Sequence, residues 1–249
     1  MKLDMSKLVL VFCLLTAGLQ AQVAVVNSAS FAPGQPVTTG SWAAAFGSFS
    51  GVITTAAATM PLPNTLAGVK VTIEGVDAPL SDVRQSQITF LVPGSITAGV
   101  HPIVVTTPAG NTTGTIRVIS SAPGLFVKDS ANPPRAAAVN ADGTENSSSS
   151  PARRGDAISL YGTGPGAFLQ PFVDGAAPGR SPLVNTKSTP QVFIDGIEAK
   201  VSFSGLSPEF PGVWQINVTI PSDGFVAGKV PVRVFMDGVD SNEVGIFVQ

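Results

Sequence analysis

A single histidine, His101, stands in the 249 residues. Nucleophilic catalysis of the Ser-His-Asp or Cys-His kind needs a histidine held by an acid against an activated nucleophile, and no nucleophile-elbow motif accompanies this one. His101 lies just before Pro102, where an internal repeat described below has Val230 before Pro231. A structural histidine at a strand edge is expected, and no catalytic residue is assigned. One histidine and one cysteine, Cys13, do not make the usual zinc sets.

Asn140, Asp142, Glu145 and Asn146 gather oxygens as a calcium loop does. Their spacing lacks the full Asp-x-Asp-x-Asp-Gly pattern and its distant Glu, and Asp142-Gly143 reads equally as a turn. Gly162-Thr163-Gly164-Pro165-Gly166 is rich in glycine but lacks the Lys-Ser/Thr of a phosphate-binding loop, and no helical pattern follows it. A glycosidase pair needs two carboxylates facing each other across a cleft. Scattered acids such as Asp195 and Asp237 read as turn formers, so neither metal nor cofactor is expected.

Aromatic and arginine side chains are the remaining candidates, because they most often anchor partners. Phe168 and Phe172 fall in the Pro/Gly-rich stretch 164–179, with Arg180 just after it. These three are the candidate partner-binding residues. The competing reading has the two phenylalanines tuck a long loop onto its own sheet. Trp214 shares a face with Ile216 and Val218 and is expected in a core. Trp42 alternates with Ala44 and Phe46, whereas the repeat puts Ile158 and Leu160 at the opposite parity, so its exposure is left open.

The elements that must position these residues read as strands. Hydrophobic residues make up 44% of the chain and charged residues only 12%, while 26 Gly and 21 Pro punctuate it. Many short buried strands joined by turns account for both facts. Val213 to Ile220 alternates apolar and polar, the period of a half-buried strand. Glu74-Gly75, Asp195-Gly196 and Asp237-Gly238 fall between apolar runs, where an acidic-Gly pair favours a tight hairpin. Little helix is expected, with at most one turn in 54–60.

Two segments repeat in order. Val71-Thr72-Ile73-Glu74-Gly75-Val76 answers to Val192-Phe193-Ile194-Asp195-Gly196-Ile197. Gln87-Ile88-Thr89-Phe90-Leu91-Val92-Pro93 answers to Gln215-Ile216-Asn217-Val218-Thr219-Ile220-Pro221. Offsets grow from 115 at Tyr161 to 121 at Gly196 and 128 at Pro221, so the second copy carries insertions between shared strands. The expected fold class is all-β, as two tandem immunoglobulin-like antiparallel β-sandwiches over 22–119 and 136–249, joined by a linker at 120–135 containing Pro133-Pro134.

The first residues read as an export signal: Lys2 and Lys7 precede the apolar run Leu8 to Leu15, and cleavage is expected after Ala21. Cleavage removes Cys13, so no disulfide is expected. Loss of Lys2, Lys7 and Asp4 takes 14 basic and 16 acidic residues to 12 and 15, a net charge of −3 with no basic stripe. Nucleic acid is thereby a poor partner, and the mature chain is expected to be secreted, periplasmic or at the cell surface without membrane insertion.

Val26-Asn27-Ser28-Ala29-Ser30-Phe31, Pro61-Leu62-Pro63-Asn64-Thr65-Leu66-Ala67-Gly68-Val69, Ala122-Pro123-Gly124-Leu125-Phe126 and Trp214-Gln215-Ile216-Asn217-Val218 together resemble a domain that forms the C-terminal part of large secreted proteins of acidobacteria and related soil bacteria. Its halves are similar to the IPT/TIG type of immunoglobulin-like domain. That resemblance implies a binding or spacer role and brings no catalytic residue. The function expected is a non-catalytic interaction or spacer module for an extracellular protein, with polysaccharide binding as the alternative.

Overall fold

Each of the three acidic-Gly pairs turns the chain back on itself with both residues at positive φ: Glu74 at 51° and Gly75 at 83°, Asp195 at 51° and Gly196 at 78°, Asp237 at 48° and Gly238 at 87°. That pair of angles is the type I′ turn, whose twist matches the twist of the strands it joins. The computed structural model describes residues 22–249, so the expected export signal and Cys13 lie outside the described residues.

The first half contributes β1 (Ala24–Asn27), β2 (Trp42–Phe46), β3 (Thr55–Ala56), β4 (Lys70–Ile73), β5 (Val76–Asp77), β6 (Leu80–Val83), β7 (Gln87–Leu91), β8 (Gly99–Thr107) and β9 (Gly110–Val118). They form one sheet in the order β1-β2-β7-β6-β3 and a second in the order β5-β4-β8-β9. Every pairing within these sheets is antiparallel. The inward faces meet in one core, with Ala43, Ala45, Leu80, Ile88 and Phe90 from the first sheet against Val71, Ile73, Ile103, Val105 and Ile116 from the second. Among the described residues there is no α-helix, and Thr55–Ala56, where one helical turn was conceivable, is the edge strand β3.

The second half contributes β10 (Gly124–Leu125), β11 (Ala138–Asn140), β12 (Ala157–Thr163), β13 (Gln191–Ile194), β14 (Ile197–Leu206), β15 (Trp214–Thr219), β16 (Gly228–Met236), β17 (Val239–Asp240) and β18 (Val244–Val248). Its registers reproduce those of the first half. Phe46 faces Gln87 as Tyr161 faces Gln215, and Lys70 faces Thr106 as Gln191 faces Phe235. Trp214, Leu160, Ile216, Val232 and Ile246 share a separate core.

The copies differ where Pro79 stands opposite Lys200. β14 runs unbroken, pairing with β13 through Ile197–Ala199 and with β15 from Lys200 onward, and so joins both layers into one nine-stranded sheet. In the first half the equivalent stretch is divided into β5 and β6. Proline has no N–H to give a ladder and fixes its own φ, so Pro79 interrupts what lysine allows to continue. Both copies keep a bulge at the next turn of the strand, between Leu80 and Asp82 and between Val201 and Phe203.

The segment 120–135, expected as a linker, carries β10, which pairs with β12, and Leu125 is buried in the second core. His101 sits at the end of β8, its Nδ1 2.9 Å from Glu74 Oε2 and its Nε2 2.8 Å from the Thr97 carbonyl. Nδ1 thereby ties the β4–β5 hairpin to β8, and Nε2 ties β8 to the loop that leads into it.

Candidate interaction surface

Six aromatic side chains, Phe31, Trp42, Phe126, Phe168, Phe172 and Phe210, gather at the junction between the two sandwiches. On the first sandwich it is made by the ends of β1 and β2 and the loop after β7. Asn27 is buried there, and its Nδ2 donates to the Ala122 carbonyl at 2.8 Å. The Trp42 backbone N–H donates to Thr163 Oγ1 at 2.8 Å, and its indole Nε1 donates to the Pro211 carbonyl at 2.9 Å. The Gly94 N–H meets both carboxylate oxygens of Asp174, each at 3.0 Å, and the Leu62 N–H donates to the Gly175 carbonyl at 2.8 Å.

The inserted loop of the second sandwich supplies the other half of this contact. Phe168 and Phe172 pack edge to face, with ring centroids 5.2 Å apart. Phe172 lies against Gly40 so closely that a Cβ there would stand 2.8 Å from its Cζ. Both rings are half-buried and face the first sandwich. The rings thus staple the loop onto the first sandwich, not onto the loop's own sheet as the second sequence expectation had it. Arg180 is not gathered with them; it is exposed and ion-paired with Glu209. Removing both rings by Phe168→Ala and Phe172→Ala is expected to loosen the junction without unfolding either core. Amide relaxation should then report two separately tumbling domains in place of one.

An open groove of about 380 Å³ lies beside this junction, with Phe31, Trp42 and Met60 from the first sandwich and Phe126, Phe210 and Pro211 from the second in its walls. The sequence reading did not find it. The repeat held one clue: Ile158 and Leu160 point inward, so Trp42 and Phe46, at the opposite parity, must point out. Ala43 and Ala45 accordingly enter the first core, while Trp42 and Phe46, on the other face with the small, covered Ala44, are partly exposed.

The oxygens that suggested calcium are committed elsewhere. Asn146 is buried; its Oδ1 accepts the Phe247 N–H at 2.7 Å, and its Nδ2 donates to the Phe247 carbonyl and to Asn140 Oδ1, each at 2.9 Å. Asp142 Oδ1 accepts the Thr144 N–H at 3.0 Å and its hydroxyl at 2.7 Å. These bonds, the hydroxyl's first, hold the Asp142 carboxyl below its usual range. Glu145 pairs with Arg135 at 2.6 Å and Lys128 at 3.2 Å.

The hydrogen bond from Arg135, ahead of that from Lys128, lowers the Glu145 carboxyl, while the Arg135 backbone N–H does most to lower Asp129. A carboxylate lowered in the folded state stabilises the fold above its unfolded value and loses that contribution as pH falls through the folded one. Acidification from near neutral should therefore lower the melting temperature of the second sandwich. Arg135→Gln should flatten that dependence in the acid range; an unchanged acid limb would refute the assignment.

No protein-family model matches the chain, and no curated protein matches it. Solved structures do. The Bacteroides ovatus mixed-linkage glucan utilization locus protein SGBP-B, in complex with a mixed-linkage heptasaccharide, is 12% identical over 86% of this chain, with a TM-score of 0.33. This chain spans 42% of that protein's length. Domains 5-6 of the S-layer protein SbsC are 13% identical, matching 92% of this chain and 97% of theirs at a TM-score of 0.32. The titin tandem A164-A165 is 10% identical, matching 92% of this chain and 97% of its own at a TM-score of 0.24. At these values the likenesses carry no argument about activity. Strand order, antiparallel register and the two separate cores make the chain a pair of tandem immunoglobulin-like β-sandwiches.

Proposed function

We propose that this chain is a non-catalytic interaction or spacer module that acts outside the cytoplasm, secreted or at the cell surface, and presents its two sandwiches as one rigid unit to an extracellular protein. The carrying observation is the junction. Domains joined in tandem move relative to one another by default unless the contact between them is extensive. Here four backbone-anchored hydrogen bonds, from Asn27, Trp42, Gly94 and Leu62, span it, and the Phe168–Phe172 pair closes over Gly40. Phe168 and Phe172 thus serve partner binding indirectly, by fixing the angle at which the domains are displayed, while Arg180 stays on the surface in its ion pair with Glu209. The sequence resemblance to IPT/TIG-like domains and the export signal expected in 1–21 support the extracellular setting.

The test is amide relaxation on the chain from residue 22 onward. A common rotational correlation time for both sandwiches is expected. Two values, each suited to a single sandwich, would overturn the rigid-spacer reading.

A further inference from the structure

We propose that the aromatic groove at the junction binds an uncharged, proline-rich segment of a protein partner in extended conformation. This rests on the interaction-module reading and names the chemistry of its partner. Phe31, Met60 and Phe210 stand at the groove with 45%, 59% and 52% of their surface exposed, and Trp42 and Phe126 are partly covered behind them. Aromatic residues and methionine grouped at one exposed place mark contact surfaces for protein. Phe31 is held at a φ of +50°, a left-handed conformation disfavoured for a bulky side chain, by its N–H bond to the Asn27 carbonyl at 2.9 Å. Strain retained at an exposed ring points to a use for that ring.

The lining decides the kind of ligand. No ionisable residue contributes to it, and its polar side chains are the hydroxyls of Ser28, Ser81 and Thr89. A charged segment would lose its hydration there without gaining a partner. A polysaccharide would find rings to stack on but no Asn, Gln, Asp, Glu or Arg in the wall to pair with its neighbouring hydroxyls. The indole N–H is also unavailable to it, being spent on the Pro211 carbonyl. With that donor closed to any ligand, the groove offers ring faces and three hydroxyls, which suits a segment of rings that carry no N–H, as prolyl residues are. Proline-rich segments dock in aromatic-lined grooves because their extended helix is already formed and little entropy is lost on binding. At about 380 Å³ the groove is at the small end for a ligand pocket and takes a few residues of such a helix.

The probe is a decaproline peptide, titrated against the chain from residue 22 onward and followed by tryptophan fluorescence. Trp214 is fully buried in the second core, so a change reports Trp42. A saturable change is expected, weakened at least about tenfold, the loss of a residue that dominates binding, by Phe31→Asn or by Phe210→Ser. Both rings are exposed, and Asn tolerates the left-handed backbone at 31, so these variants should keep the parent melting temperature. No saturable change with decaproline, or equal binding by both variants, overturns the proposal. Saturation by cellohexaose in place of decaproline also overturns it and assigns the groove to polysaccharide. Amide relaxation separates the two failures: one tumbling body with no decaproline binding removes the groove proposal alone, whereas independent domains remove the rigid-module reading.

Discussion

Trp214→Ala is expected to unfold the second sandwich while the first stays folded. Trp214 is the largest of the fully buried side chains, and its Nε1 donates to Ser204 Oγ at 2.9 Å. It stands at the start of β15, in a core with Leu125, Leu160 and Ile216. Truncating a buried tryptophan costs about 3–5 kcal/mol, through lost burial and the cavity left behind. A domain holds only about 5–15 kcal/mol in total, so the second sandwich should become marginal. The cores are separate, which confines the direct damage to one of them. Guanidinium unfolding followed by circular dichroism should show the transition of the second sandwich moved to low denaturant and that of the first retained. A single transition near the parent midpoint would mean that Trp214 does not hold the core as described.

Gly212→Val is expected to pry the sandwiches apart while both remain folded. Gly212 follows Phe210 and Pro211 in the loop before β15 and has a φ of +61°. A Cβ there would overlap the Leu91 side chain of the first sandwich and would stand 3.2 Å from the Gly40 carbonyl and 3.3 Å from the Trp42 indole nitrogen. A side chain therefore meets both a left-handed backbone, which costs an L-residue about 1–2 kcal/mol, and a wall that belongs to the other domain. Retreat of the loop would break the bond from Trp42 to Pro211 and dismantle the groove. Trp42 emission should shift to that of a solvated indole, and amide relaxation should report independent domains. Gly238→Val is the control: it has a similar positive φ, 87°, but nothing within 4 Å of the added Cβ, so the junction should stay closed. Equal tumbling of the parent and the Gly212 variant would refute the interlock.

Local chemistry was sufficient for much of this architecture. Alternation from Val213 to Ile220 fixed which side of β15 is buried, because a strand sends successive side chains to opposite faces whatever lies beyond them. The acidic-Gly pairs fixed three hairpins, because their conformational preference belongs to two neighbouring residues. The ordered repeat fixed equivalent strands, and the structure pairs them in equivalent registers. Even the division of β5 from β6 has its cause in one residue, Pro79.

What only the tertiary structure decided is where faces from distant parts of the chain meet. Phe168 and Phe172 were legible as aromatic residues in an inserted loop, but periodicity has nothing to say about a loop without one. Their neighbour is the first sandwich, reached by contacts such as that of Gly94 with Asp174, 80 residues apart. Trp42 meets Thr163 across 121 residues and Pro211 across 169. The groove exists because two outward faces, each ordinary in its own strand or loop, are brought edge to edge by the junction. A sequence determines which side of a strand faces its own core through the geometry of a few adjacent residues. The partner of the other side is set by the docking of whole domains, which sums many weak contacts that no short segment contains.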